Sequence, residues 1–112
     1  MLNITFKPKT LELEIKGHAK YGNEGGDIVC AAISSLFYTL YETLNQSAEM
    51  QEKAPEFKDE YGDGYLRSCP KKEYEGNIAC IYRTILIGLE LIARNYPENV
   101  AFKVVGRKTK IE

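Results

Sequence analysis

The fold turns on residues 17–30, Gly17-His18-Ala19-Lys20-Tyr21-Gly22-Asn23-Glu24-Gly25-Gly26-Asp27-Ile28-Val29-Cys30. Upstream of this stretch, apolar residues recur at every second position: Leu2, Ile4 and Phe6, then Leu11, Leu13 and Ile15. That is the period of half-buried strands, and Pro8-Lys9 between them reads as the turn of a hairpin. Downstream, Val29, Ile33, Leu36, Phe37, Leu40 and Leu44 fall on one stripe of a helix from Ile28 to about Gln46. The period changes within residues 17–27. Gly25-Gly26 reads as a hinge, because glycine permits positive φ and close approach. Asp27 is a good N-cap for the helix that follows.

Further along, residues 46–55 are polar and read as a loop or frayed helix end, closed by Pro55. Residues 56–61 and 64–69 read as a second hairpin with its turn near Asp63-Gly64. A second helix is expected over Asn77–Asn95, with Ile78, Ile81, Tyr82, Ile85, Leu89 and Ile92 as its core stripe. Leu86, Ile87 and Leu91 add apolar residues on other faces, more than one sheet covers, and Gly88 admits a close neighbour. Tyr96-Pro97 stops the helix. Val100, Phe102 and Val104 alternate again as a last strand. The order ββαββαβ makes an α+β fold: a mainly antiparallel sheet with two helices packed on one face. Residues 1–112 read as a single domain.

Composition excludes several classes. A net charge of −1 is not the strongly basic balance of a nucleic-acid binder. No apolar run approaches the ~18 residues of a membrane span, and the first residues lack the pattern of a signal peptide. A cytoplasmic protein with reduced thiols is the expectation. Cys30, Cys69 and Cys80, with one distant histidine, lack the spacing of a zinc site.

A free cysteine is most often a small buried hydrophobe, and Cys80, amid an apolar helix, fits that description. Cys30 differs by position. Near the start of a helix, unpartnered N–H groups and the helix dipole favour a thiolate, lower its pKa and offer donors to an oxyanion. His18, the only histidine, lies twelve residues earlier, with loop enough between to bring its ring to the sulfur as a base. Asp27 is ambiguous. As a cap, its carboxylate takes the Cys30 N–H and opposes the thiolate; turned the other way, it orients His18. Ser34, one turn beyond Cys30, is either a hydrogen-bonding group for substrate or His18, or a small residue that keeps the approach open. The glycine loop lacks the Gly-Lys-Ser/Thr ending of a phosphate loop and carries Glu24 and Asp27.

Gly17-His18-Ala19, followed by Gly25-x-Asp27-Ile28-Val29-Cys30-Ala31-Ala32-x-Ser34, resembles the ribosomal-processing cysteine protease family, Prp. Asp63-Gly64-Tyr65-Leu66 and Leu86-x-Gly88-Leu89-x-x-Ile92-Ala93-x-x-Tyr96-Pro97 extend the resemblance over nearly the whole chain. Lys20 stands where the family has a small residue. The resemblance implies a small bacterial α+β protein, usually a homodimer. It implies removal of a short N-terminal extension from large-subunit ribosomal protein twenty-seven. By motif position, Cys30 is then the nucleophile and His18 the base, with Gly17, Asp27 and Ser34 as supporting residues. Gly25 and Gly26 belong to a cover over the peptide, and no metal or organic cofactor is implied. The competing expectation is a non-enzymatic, ribosome-associated or regulatory peptide-binding module, since a polar glycine loop can clamp a peptide without chemistry. Faster alkylation of Cys30 than of Cys69 or Cys80 near neutral pH would speak for the protease.

Overall fold

Strand alternation and helical stripes combine into two layers in a computed structural model, which describes residues 1–22, 27–60 and 62–106. Strands β1 (Leu2–Lys7) and β2 (Glu12–Lys16) form the first hairpin. Helix α1 (Ile28–Asn45) follows, then β3 (Glu56–Glu60), β4 (Asp63–Arg67), α2 (Glu75–Asn95) and β5 (Val100–Val104). The sheet order is β3-β4-β2-β1-β5. All neighbours are antiparallel except β5, which lies parallel to β1 with Ile4 opposite Phe102. The result is the expected α+β architecture of two helices on a mixed, mostly antiparallel sheet.

Alternation sends Leu2, Ile4, Phe6, Leu13, Ile15 and Leu66 inward from the sheet. Val29, Ile33, Phe37, Leu40 and Leu44 of α1 and Ile78, Tyr82, Ile85, Leu89 and Ala93 of α2 meet them. The helices also pack on each other where Gly88 faces Leu36; a Cβ on Gly88 would sit 2.9 Å from Leu36 Cδ1. Lys72–Asn95 is apolar enough by length and composition to cross a membrane, contrary to the sequence expectation, with a mean hydropathy of 1.4. Its inner face nonetheless closes the core, while Ile87 and Leu91 are each 45% exposed on its outer face.

Several expectations need correction. Leu11 lies outside β2 at φ +62, because Lys7 pairs with Glu12 and the four residues between them form the turn. The second hairpin turns earlier than expected. Asp63 and Gly64 belong to β4, where Glu60 pairs with Asp63 and Asp59 with Gly64, and Gly62 takes the positive φ of +88. Packing sets this register: the Phe37 ring lies so close to Gly64 that a Cβ there would be 2.9 Å from its Cζ.

Residues 46–55 form the loop of the two alternatives, with a short 3-10 turn over Ala48–Met50, and are not a frayed end. Gln51 is buried and donates to the Leu44 and Ser47 carbonyls at 2.6 and 3.1 Å, closing the end of α1. Its Oε1 accepts from buried Ser68 at 2.7 Å, and Tyr82 accepts the Ser68 N–H at 3.0 Å. α2 starts two residues before the expected Asn77. Cys80 is exposed, not buried, because it faces away from the Ile78–Tyr82–Ile85 stripe.

Candidate active site

The site forms where β2 ends and α1 begins. Gly17 leaves β2 at φ +91, passing so close to Met1 that a Cβ would lie 2.6 Å from its carbonyl oxygen. No side chain fits there. The Gly17 N–H donates to Asp63 Oδ1 at 3.1 Å. His18 is exposed, and its imidazole abuts Gly62: a Cβ on that glycine would be 2.9 Å from Cε1. Ala19 is buried and its carbonyl accepts from Asn99 Nδ2 at 2.9 Å. Tyr21 packs edge-on against Tyr96, with ring centroids 5.1 Å apart.

On the helix side Asp27 resolves its ambiguity as a cap. Its Oδ1 accepts from the Val29 and Cys30 N–H groups at 2.9 and 3.1 Å. Its carbonyl accepts from Ala31, so three of the first four N–H groups of α1 are taken. Oδ2 turns toward the preceding segment, accepting from Tyr21 at 3.0 Å and Gly22 at 3.4 Å. One carboxylate therefore ties the segment bearing His18 to the helix bearing Cys30. Desolvation pulls the Asp27 pKa upward, but the N–H groups of Cys30, Tyr21 and Gly22 outweigh it and hold the carboxyl below its ordinary value.

Cys30 is half-buried, and its thiol pKa lies above the ordinary value rather than below it. Burial is the main cause; a hydrogen bond from the Ala19 backbone opposes the rise, and Asp27 adds to it by charge and hydrogen bonding. The expected lowering fails because burial disfavours the anion and Asp27 adds a negative charge beside the sulfur, where the helix dipole alone would have favoured the thiolate.

His18, Cys30 and Ser34 all line two adjoining open clefts, of about 500 and 880 Å³. Gly17 and Gly62 border the first, together with an apolar floor that includes Ile33 and Phe37. Asp27, Lys20 and Gly22 border the second. Of the residues singled out in sequence, His18, Cys30, Ser34, Gly17 and Asp27 are thus brought together. Ser34 is exposed one turn beyond Cys30. Gly25 and Gly26 lie outside the described residues. Gly62, Asp63 and Asn99 were missed. The signals for the first two were a turn-forming Gly-Asp pair and, for Asp63, its place in the Asp63-Gly64-Tyr65-Leu66 stretch, neither of which pointed to His18. Asn99 carried none, since it reaches Ala19 across eighty positions. No group of three or more potential metal ligands occurs among the described residues.

Comparison with known proteins identifies the family and the fold. Residues 1–101 match the family described as cysteine protease Prp. A curated relative, the ribosomal processing cysteine protease Prp of Staphylococcus aureus, is 28% identical over 101 residues, 88% of this chain and 91% of its own length. A crystal structure of the S. aureus protease with a covalently linked product peptide superposes with a TM-score of 0.74. It shares 23% identity, covering 93% of this chain and 99% of the other, a likeness of fold. A Streptococcus mutans protein of known structure is also similar, with a TM-score of 0.64 and 27% identity over 92% of this chain and 90% of its own. With the family model matching residues 1–101, most of its length, the chain belongs to the cysteine protease Prp family.

Proposed function

We propose that this protein is an endopeptidase that removes a short N-terminal extension from large-subunit ribosomal protein twenty-seven, with Cys30 as nucleophile and His18 as base. The supporting observation is that these two side chains, from different elements, face the same two clefts. The name of the S. aureus relative supports ribosomal processing.

Burial and Asp27 both favour the thiol over the thiolate at the resting sulfur. As the scissile carbonyl arrives, the Sγ proton passes to His18 and Sγ bonds to the carbonyl carbon. The developing oxyanion needs donors. The Cys30 N–H is engaged by Asp27, which leaves the Ala19 N–H as the backbone donor directed at the sulfur. The His18 imidazolium then protonates the departing amine. The acyl–sulfur bond is broken by water that gives its proton to His18, releasing the new carboxylate and the free thiol. Ser34, at the junction of both clefts, contacts the peptide backbone.

A second copy covers the exposed Ile87 and Leu91 of α2, which the family resemblance supports, and the free cysteines fit work in the cytoplasm. Family membership sets the non-enzymatic binding module aside. Rapid alkylation is no longer the discriminating test, since Cys80 is exposed and the Cys30 thiol is raised.

The decisive experiment is mass spectrometry of the ribosomal protein after incubation with wild type, Cys30→Ala and His18→Ala. Wild type should release the extension, Cys30→Ala none, and His18→Ala should be slower by about 10²–10⁴-fold. Cleavage by Cys30→Ala at the wild-type rate would overturn the assignment.

A further inference from the structure

We propose that the β3–β4 turn is a working part of the site, with Gly62 and Asp63 as positioning residues for His18. This rests on the assignment of His18 as the base. Two separate contacts reach His18 and its neighbour Gly17, one from Gly62 of this turn and one from Asp63, the first residue of β4. A Cβ at Gly62 would stand 2.9 Å from the imidazole Cε1 and 3.5 Å from each ring nitrogen. Any side chain there displaces the ring. Asp63 Oδ1 meanwhile accepts the Gly17 N–H at 3.1 Å, which fixes the Lys16–Gly17 peptide, one unit before the peptide that carries His18. The turn is itself located by the sheet: β4 pairs with β2, Gly64 opposite Ile15, so the turn stands beside the end of β2 from which His18 emerges.

The chemistry requires such support. A base must hold one nitrogen within hydrogen-bond reach of the sulfur and then of the leaving amine. Misplacement on the order of 1 Å costs about 10²-fold in rate. His18 is exposed, so little core packing restrains its ring. Gly62 bounds the ring on one side, and Asp63 restrains the backbone that carries it.

Gly62 also has φ +88, which by itself calls for glycine in the turn. Asparagine separates the two requirements, because it tolerates positive φ yet carries a Cβ. Gly62→Asn should therefore fold and keep KM within about two-fold while kcat falls by roughly 10–100-fold. Asp63→Ala should lower kcat about ten-fold, and Asp63→Asn, which retains an acceptor oxygen, should restore it. His18 is the chain's only histidine, so its Hε1 resonance is unique in the NMR spectrum. Wild type should show an NOE from His18 Hε1 to Gly62 Hα, and Gly62→Asn should shift the Hε1 resonance. A folded Gly62→Asn with unchanged Hε1 shift and unchanged kcat overturns the proposal. So does absence of the NOE in wild type. If Gly62→Asn does not fold, the Asp63 pair decides, and wild-type kcat in Asp63→Ala overturns it. Full turnover by His18→Ala would instead refute the assignment of the base, while the NOE would still report the geometry.

Discussion

The two halves of the site are built on different principles. The Cys30 half is local: Asp27 caps the helix three residues before the cysteine, and the ordinary chemistry of a helix start places the sulfur. The His18 half is assembled from afar. Asp63 holds the N–H of Gly17, Asn99 the carbonyl of Ala19, and Tyr96 the ring of Tyr21, while Gly62 bounds the imidazole. Residues 17–22 therefore form a segment pinned from β4, the β3–β4 turn and the end of α2. A nucleophile needs one well-placed helix. A base that must meet first a thiol and then an amine needs its backbone fixed from several directions. Asp27 alone belongs to both halves, one oxygen to each.

The largest effect should come from separating those oxygens. Asp27→Ala removes both attachments and should reduce kcat by about 10²-fold. Asp27→Asn should keep the helix cap through its amide oxygen, since Asn is as good an N-cap as Asp. Its NH₂ cannot accept from Tyr21 and Gly22, so only the His18 half is released. Turnover should fall while α1 stays intact by circular dichroism. Removing the charge should also lower the Cys30 thiol pKa, because Asp27 raises it. Alkylation of Cys30 near neutral pH should then be faster in Asp27→Asn than in wild type, as peptide cleavage becomes slower. Parallel losses of both rates would show that the two halves are not separable. The carboxylate also links stability to pH. Its folded-state pKa is depressed, so its contribution is present above the unfolded value near pH ~4 and lost as pH falls through the folded one. Asp27→Asn should flatten urea-measured stability in that acid window and nowhere above it.

Asn99→Ala tests the distant half alone. It removes the donor to the Ala19 carbonyl and so frees the Ala19–Lys20 peptide, which adjoins the peptide whose N–H faces the Cys30 sulfur. We expect kcat about ten-fold lower with stability reduced by about 1 kcal/mol, the ordinary net worth of one hydrogen bond. Peptide turnover and urea denaturation measure the two. A loss of stability without loss of turnover would make Asn99 a structural residue only.

This division also explains what the sequence could disclose. The helix start, its cap and Cys30 lie within four consecutive residues, and both strands of the first hairpin carry their period openly. His18 was identifiable as the only histidine, but what holds it was not. Gly62 and Gly64 compete for the same turn, and the choice between them is made by Phe37, a residue of α1 that packs on Gly64. Asn99 reads as an ordinary residue after a helix stop until the fold brings it to Ala19. Gln51 looked like part of a solvated polar stretch, yet it is buried beneath the end of α1. In each case a polar residue or glycine is placed by tertiary contact, which leaves no trace in local periodicity. The thiol pKa departs from the sequence expectation for a related reason: the fold buries the sulfur, and the cap charge adds to that effect against the helix dipole.

A long-range hydrogen bond remote from the site should behave differently from Asn99. Gln51→Leu leaves the Leu44 and Ser47 carbonyls and the Ser68 hydroxyl without their present partner. That should cost about 1–3 kcal/mol, seen as a lower urea midpoint, with kcat unchanged well below the melting temperature. A fall in kcat would extend the functional network to the far end of α1.

The smallest effect is expected at Lys20, within the pinned segment itself. Lys20 is exposed and holds φ +56, in the left-handed region that costs a non-glycine residue roughly 1–2 kcal/mol. Lys20→Gly removes that strain but gives the unfolded chain more freedom, a loss of roughly 0.5–1 kcal/mol. The net gain in stability should be at most about 1 kcal/mol by urea denaturation. Turnover should be nearly unchanged, because the neighbours of Lys20 are held by Asn99 and Asp27 and not by its own backbone preference. If Lys20→Gly instead lowered kcat with the fold intact, the stiffness of residue 20 would itself be a restraint on His18. The distant attachments would then be insufficient without it.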